Sequence, residues 1–136
     1  MFLLDTNIFL ELLLDQEKAD EVQRLLQVKP REERHLSEFS LYSVGIVLFR
    51  CKQPETFVRF VNDVIVTGGV RLLRLSVQDM AKVTTTAQRF KLDFDDAYQY
   101  VVAEKHALQI ISFDADLNER KRAARHLIKW GSDLCT

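Results

Sequence analysis

The first seven residues, Met1-Phe2-Leu3-Leu4-Asp5-Thr6-Asn7, constrain the chain most. An apolar run meets a carboxylate, then two short hydrogen-bonding residues, then the amphipathic stretch Ile8-Phe9-Leu10-Glu11-Leu12-Leu13-Leu14. A buried strand followed at once by a helix is how open α/β sheets begin. In such sheets ligands sit beyond the carboxyl ends of the strands, and Asp5 falls at that edge. Aspartate is also favoured as a helix cap, so this stretch alone leaves Asp5 between a cap and a site residue.

The chain has 136 residues, which fits a single domain over 1–136 with a substantial core. Apolar residues make up 47% and charged ones 29%, a globular rather than a disordered balance. Lys plus Arg number 19 and Asp plus Glu 20, so the net charge of -1 neither demands nor excludes nucleic acid; where the charges sit matters more than their sum. Cys51 and Cys135 fit no metal or disulfide spacing and read as reduced thiols. The apolar start is interrupted by Asp5, unlike a signal peptide, and no apolar run reaches the ~18 residues of a membrane helix. A cytoplasmic protein is the expectation.

Apolar periodicity predicts helices over Ile8–Asp15 and Glu17–Val28, with Pro30 ending the second. His35-Leu36-Ser37 reads as a strand, with Ser37 or Ser40 capping a helix that carries Leu41, Val44, Ile46, Val47, Leu48 and Phe49. Pro54 suits the first turn of a helix running to Ile65, and Thr67-Gly68-Gly69 a turn. Val70–Leu75 reads as a third strand, Ser76 caps a helix to about Lys91, and Asp93 starts another to His106. Gln109–Phe113 reads as a strand ending at Asp114, followed by a short helix around Leu117–Lys121 and a last strand Arg125–Lys129. Alternating strands and helices predict an α/β fold, a mostly parallel sheet of four to five strands covered on both faces.

Two further stretches carry acids. Leu92-Asp93-Phe94-Asp95-Asp96-Ala97 opens a helix, with Asp93 and Asp96 on one face and Asp95 turned about 100° from Asp96. Ser112-Phe113-Asp114-Ala115-Asp116 places Asp114 at a strand end, as Asp5 is. If both strands are central and parallel, Asp5 and Asp114 converge at one edge and Asp96 joins them. Clustered carboxylates repel without a cation, and hard oxygen donors with no organised Cys or His point to Mg²⁺ or Mn²⁺. Each acid also has a bland reading as a cap or dipole partner, which weighs most for Asp93 and Asp116. His35, His106 and His126 are scattered and read as structural.

Leu4-Asp5-Thr6-Asn7, Asp96-Ala97 and Ser112-Phe113-Asp114-Ala115-Asp116, in that order and spacing, resemble the PIN domain family over essentially the whole chain. The resemblance implies a three-layer α/β/α fold and a Mg²⁺- or Mn²⁺-dependent ribonuclease. It further implies a VapC-like toxin of a toxin–antitoxin pair, with RNA as substrate, an antitoxin protein as partner, and a homodimer. It makes Asp5, Asp96 and Asp114 metal-ligand candidates and Asp116 a further catalytic acid. Thr6, Asn7 and Ser112 match supporting polar positions. One departure stands out. The family's helical Glu falls on or near Ser43 in Ser37-Glu38-Phe39-Ser40-Leu41-Tyr42-Ser43. A serine can hold a water but supplies no charge. Glu38, at the strand-to-helix junction, is a candidate to approach from another angle or an exposed acid of the first helical turn.

The chemistry this implies is metal-assisted phosphodiester hydrolysis. Phosphate contacts are sought among Arg50, Lys52, Arg89, Lys91, Arg120, Lys121 and Arg122, most of which read as solvated charges; the substrate-binding set stays unassigned. An aspartyl-phosphate phosphatase would want a proton-donating acid at Asn7, and a receiver domain an acidic pair before the first strand's Asp. Neither is present. The competing reading is a catalytically weak or silent PIN-like module that binds RNA or a protein. The apolar residues Phe9, Leu12, Leu13, Phe57, Phe60, Val61 and Val64 read as core first and as a dimer or antitoxin groove second.

Overall fold

The computed structural model describes residues 1–14, 19–28 and 30–112. Asp114, Asp116, the expected helix at Leu117–Lys121, the last strand and the basic cluster at 120–122 lie outside the described residues. Four strands form one sheet: β1 (Phe2–Leu4), β2 (Arg34–Ser37), β3 (Arg71–Leu73) and β4 (Gln109–Ile111), all parallel and ordered β3-β2-β1-β4. The helices are α1 (Thr6–Leu13), α2 (Ala19–Val28), α3 (Glu38–Arg50), α4 (Pro54–Phe60), α5 (Met80–Phe90) and α6 (Phe94–Lys105).

β1 shows why both faces are covered. Successive strand side chains point to opposite faces, yet Leu3 and Leu4 are both fully buried. Leu3 packs with Val83 of α5 and with Ala97, Val101 and Val102 of α6. Leu4 packs with Phe9 and Leu10 of α1 and with Val44, Val47 and Leu48 of α3. Two helical layers therefore sandwich the sheet, giving the expected three-layer α/β/α architecture. Removing a buried leucine at either position costs about 2–5 kcal/mol.

The strand order places the site. The connections from β1 to β2 to β3 move one way, and β4 then returns to the other side of β1. The reversal lies between β1 and β4, and the crevice beyond the strand ends at such a switch is where α/β sheets bind ligands. Leu4 pairs with Ile111, and the Asp5 N–H donates to the Ile111 carbonyl at 2.9 Å. Asp5 and Ser112 thus leave neighbouring strands side by side.

The local signals act largely as read. Ser37 caps α3, its Oγ accepting from the Ser40 N–H at 3.0 Å, and α3 begins one turn earlier than its apolar face suggests, at Glu38. Pro54 occupies the first turn of α4. The helix expected to run to Ile65 changes at Val61 into a wider turn over Val61–Val66, closed by Thr67 N–H to the Asn62 carbonyl at 2.8 Å. A single wide turn leaves apolar periodicity nearly intact and is hard to read from it. Gly69 takes φ +75°, which glycine adopts at no steric cost. β3 is shorter than expected and lies at the sheet edge, Arg71 and Leu72 exposed. The Tyr98 hydroxyl accepts from the Leu75 N–H at 3.0 Å and ties the end of that segment to α6.

Two sequence readings need correction or refinement. Cys51 is disulfide-bonded rather than reduced; separation along the chain sets no limit on distance in the fold, so spacing alone was a weak guide. Phe9 and Phe60 are buried and meet edge to face at 5.2 Å, so they are core. The exposed apolar stripe lies instead on α3, where Tyr42, Ile46 and Phe49 line a groove of about 470 Å³ with Gly45 and Phe57. A Cβ at Gly45 would sit 3.1 Å from the Phe57 ring, so glycine lets α4 pack this close.

Candidate metal centre

Asp5 occupies the N-cap position of α1 with extended backbone, but its side chain makes no cap hydrogen bond. The carboxylate turns into the protein. Its Oδ1 accepts from Gln99 Nε2 at 3.1 Å and its Oδ2 from Ser112 Oγ at 3.1 Å. The Thr6 backbone N–H adds a third donor. Burial raises the Asp5 pKa above its usual value, more than these donors lower it, and the negative charge of Asp95 pushes the same way. Desolvation disfavours the charged form, and hydrogen bonds to that form oppose it. A cap exposed at a helix start would show the opposite balance.

A second line of polar groups backs the first. Thr6 Oγ1 and Ser40 Oγ lie 2.8 Å apart, Ser37 Oγ and Ser40 Oγ 3.2 Å, and Gln99 Nε2 donates to Ser40 Oγ at 2.8 Å. Thr6, Ser37, Ser40 and Gln99 are all buried. Three neighbours on one hydroxyl exceed its two lone pairs, so Ser40 donates its own proton to Thr6 or Ser37 while accepting from the other two. Asn7 Nδ2 donates to Ser112 Oγ at 2.9 Å, which aims the serine proton at Asp5. The ends of β1, β2 and β4, the starts of α1 and α3 and the middle of α6 are stitched together in this way.

Asp96 lies in the first turn of α6 and is 8% exposed. Asp95 beside it is half-buried and within electrostatic reach of Asp5. Asp93 sits at the N-cap position of α6, exposed and without a side-chain cap bond. Ser43 is buried on α3. Glu38 is drawn elsewhere: Arg74 Nε lies 3.4 Å from its carboxylate, and Tyr42 hydrogen-bonds it. So Asp5, Thr6, Asn7 and Ser112 come together, Asp96 is buried at the helix that abuts them, and Glu38 pairs toward β3. Among the described residues no three His, Cys, Asp or Glu form a metal-holding group; Asp114 and Asp116 are outside them. The donors that are present, carboxylate, hydroxyl and carboxamide oxygens, match a hard divalent cation rather than a soft one.

Reading the sequence for acids missed Gln99, Ser40 and the reach of Asp95. Gln99 had one visible signal. It is three residues after Asp96, hence on the same helical face, and it interrupts an otherwise apolar run toward Val101, Val102 and Ala103.

The fold is shared with known proteins. The solved structure of VapC20 from Mycobacterium tuberculosis, described as a sarcin-ricin loop cleaving toxin, superposes with TM-score 0.75 at 19% identity, covering 95% of this chain and 98% of its own. A toxin–antitoxin complex from Klebsiella pneumoniae contains a chain that superposes with TM-score 0.64 at 23% identity, covering 82% of this chain and 85% of its own. Among curated proteins none matches the sequence. At such identities the structural likeness speaks for the fold. A family model, the PIN domain, matches residues 2–123, and with nearly the whole chain inside that match the protein belongs to the PIN domain family.

Proposed function

We propose that this PIN domain is a divalent-cation-dependent endoribonuclease and the toxin of a toxin–antitoxin pair. One observation carries the reading: Asp5 stands where a helix cap belongs, yet turns inward to a buried site that penalises its charge. A buried carboxylate beside further acids is unfavourable alone and is relieved by a cation. The likeness to a toxin described as cleaving the sarcin-ricin loop supports structured RNA as the substrate class.

Asp5 and Asp96 are assigned as ligands of Mg²⁺ or Mn²⁺, with Asp114 as the third. The bound cation supplies Lewis acidity to the scissile phosphate and lowers the pKa of the attacking water. The chain's own groups do the rest. Ser112 and Gln99 orient the two Asp5 oxygens, Asn7 sets the Ser112 hydroxyl, and Thr6 with Ser40 ties α1 to α3. Asp116 is assigned to orient the attacking water, and Arg89 and Lys91, just before α6 begins, are assigned to phosphate contacts; Arg50 and Lys52 lie at the end of α3 away from Ser37 and Ser40. Such contacts make binding fall with salt.

An antitoxin partner is supported by the toxin–antitoxin complex among the structural neighbours and by the exposed Tyr42, Ile46 and Phe49 of α3. A homodimer and a cytoplasmic location complete the proposal; among the described residues no helix is long and apolar enough to cross a membrane.

A catalytically weak or silent module is the second reading. It is favoured by the buried hydroxyl of Ser43 where a family acid is expected and by the pairing of Glu38 with Arg74. Purified protein incubated with structured RNA in Mn²⁺, Mg²⁺ or chelator decides between them. Cleavage that needs the cation and disappears in Asp5→Asn and Asp96→Asn supports the nuclease. Mn²⁺ binding with no cleavage supports the weak module.

A further inference from the structure

Gln99 is 2% exposed and deep in α6, yet it spends both amide protons on the site. Nε2 donates to Asp5 Oδ1 at 3.1 Å and to Ser40 Oγ at 2.8 Å. The orientation of the amide follows from its neighbour. Reversed, the group would set its oxygen against a carboxylate oxygen, whereas as placed its donor meets an acceptor. The other end is the telling one. Gln99 Oε1 is buried and has no hydrogen-bond partner among the described residues. Buried polar atoms are nearly always satisfied, so an orphan calls for a cause. Here the orphan belongs to a side chain already committed to the strand-end carboxylate. It lies one helical turn beyond Asp96, on an element packed against α3, the helix that brings hydroxyls and no carboxylate to the site.

We propose that Gln99 is a positioning residue of the cation site: its Nε2 holds Asp5 in a fixed orientation for the ion, and its Oε1 adds a neutral oxygen to a site that this chain supplies with hydroxyls rather than an acid from α3. This deepens the reading given under Proposed function and rests on it. Groups that hydrogen-bond a ligating carboxylate fix its geometry, and their removal typically weakens metal affinity about 10–100-fold. A neutral oxygen in place of a carboxylate also leaves less repulsion in the cation-free pocket.

The test is Mn²⁺ binding by calorimetry and by the Mn²⁺ resonance spectrum, in the absence of RNA, with melting temperatures in chelator and in Mn²⁺. Four proteins are compared: wild type, Asp5→Asn, Gln99→Met and Gln99→Glu. Gln99→Met keeps the shape and removes both polar ends. It is expected to weaken Mn²⁺ binding about 10–100-fold with a native circular dichroism spectrum. Gln99→Glu faces a second carboxylate toward Asp5. It is expected to melt below wild type in chelator and to gain more than wild type when Mn²⁺ is added. Gln99→Met binding within twofold of wild type, while Asp5→Asn loses binding, overturns this inference and leaves the proposed function standing. Gln99→Glu gaining no more from Mn²⁺ than wild type also overturns it. Wild type taking up no Mn²⁺ overturns both.

Discussion

Two aspartates, Asp5 and Asp79, sit at comparable places, each beside a helix start, and the protein treats them in opposite ways. Asp79 opens the run into α5. It accepts from the Ser76 N–H at 2.8 Å, from Ser76 Oγ at 2.9 Å and from Lys105 Nζ at 2.8 Å. These donors, Lys105 first, lower its pKa to about 2, with the side chain 20% exposed. Asp5 also has three donors, but burial outweighs them and its pKa rises. The number of hydrogen bonds is the same, and the difference is access to water and a compensating cation. Asp79 has its lysine. Among the described residues no lysine or arginine pairs with Asp5, and Asp95 is within reach instead. A carboxylate built for structure is given its counter-charge by the chain; one left charged against its surroundings is where an ion from solvent has something to gain.

The largest effect that can break this contrast is on activity. Asp5→Asn is expected to lower Mn²⁺-dependent RNA cleavage by at least ~10²–10³-fold, the scale seen when a charge-stabilising group is removed from an active site, while Asp79→Asn stays near wild type. Equal losses in a cleavage assay would erase the distinction. Next, Ser112→Ala removes the donor to Asp5 Oδ2 and is expected to weaken Mn²⁺ binding at least ~10-fold, the lower end for groups that orient a metal ligand. Calorimetry checks it, and an unchanged dissociation constant would remove Ser112 from the site.

Smaller effects lie in stability against pH. The folded protein holds the Asp5 proton more tightly than the unfolded chain does, because its pKa is raised from 3.8. Stability from this group is present below pH 3.8 and is lost as pH rises through the folded value. In chelator, the melting temperature of Asp5→Asn is therefore expected to gain on wild type as pH increases across that window. A difference that shrinks would contradict the burial argument. Asp79 has the reverse sign. Its folded pKa of about 2 lies below 3.8, so its contribution is present above pH 3.8 and fades as pH falls toward 2. Asp79→Asn should melt slightly lower than wild type near neutral pH and converge with it in acid, the smallest change here because its ion pair with Lys105 lies at the surface and is screened by solvent.

How much of this was legible depended on distance along the chain. The strand-to-acid junction at Leu4-Asp5 is a local signal, and so are the Ser37 cap, Pro54 and the turn at Gly68-Gly69; each is written within a few residues. The parallel sheet followed from alternation. What the sequence did not disclose is who answers Asp5. Gln99 lies 94 positions away from it and 59 from Ser40, and nothing in a neutral amide announces a partner at that range. Glu38 looked available for the site because it sits beside Ser37, but the choice between the pocket and Arg74 was made by β3, a strand brought alongside β2 only in the folded sheet. The π-like turn after Phe60 escaped notice for a different reason, since one extra residue per turn barely disturbs an apolar stripe. Acids attract attention in a sequence and amides do not, which is why Asp5 stands out there and Gln99 does not.

The register of β1 on β4 acts as a gauge for the chemistry. Leu3 faces Ile110, Leu4 faces Ile111, and the Asp5 amide is fastened to the Ile111 carbonyl. A slip by one residue would send Leu3 and Leu4 into each other's layers and carry the carboxylate past its serine. The two hydrophobic layers thus meter the position of a single charge, and damage to either core is expected to reach the pocket before it unfolds the domain.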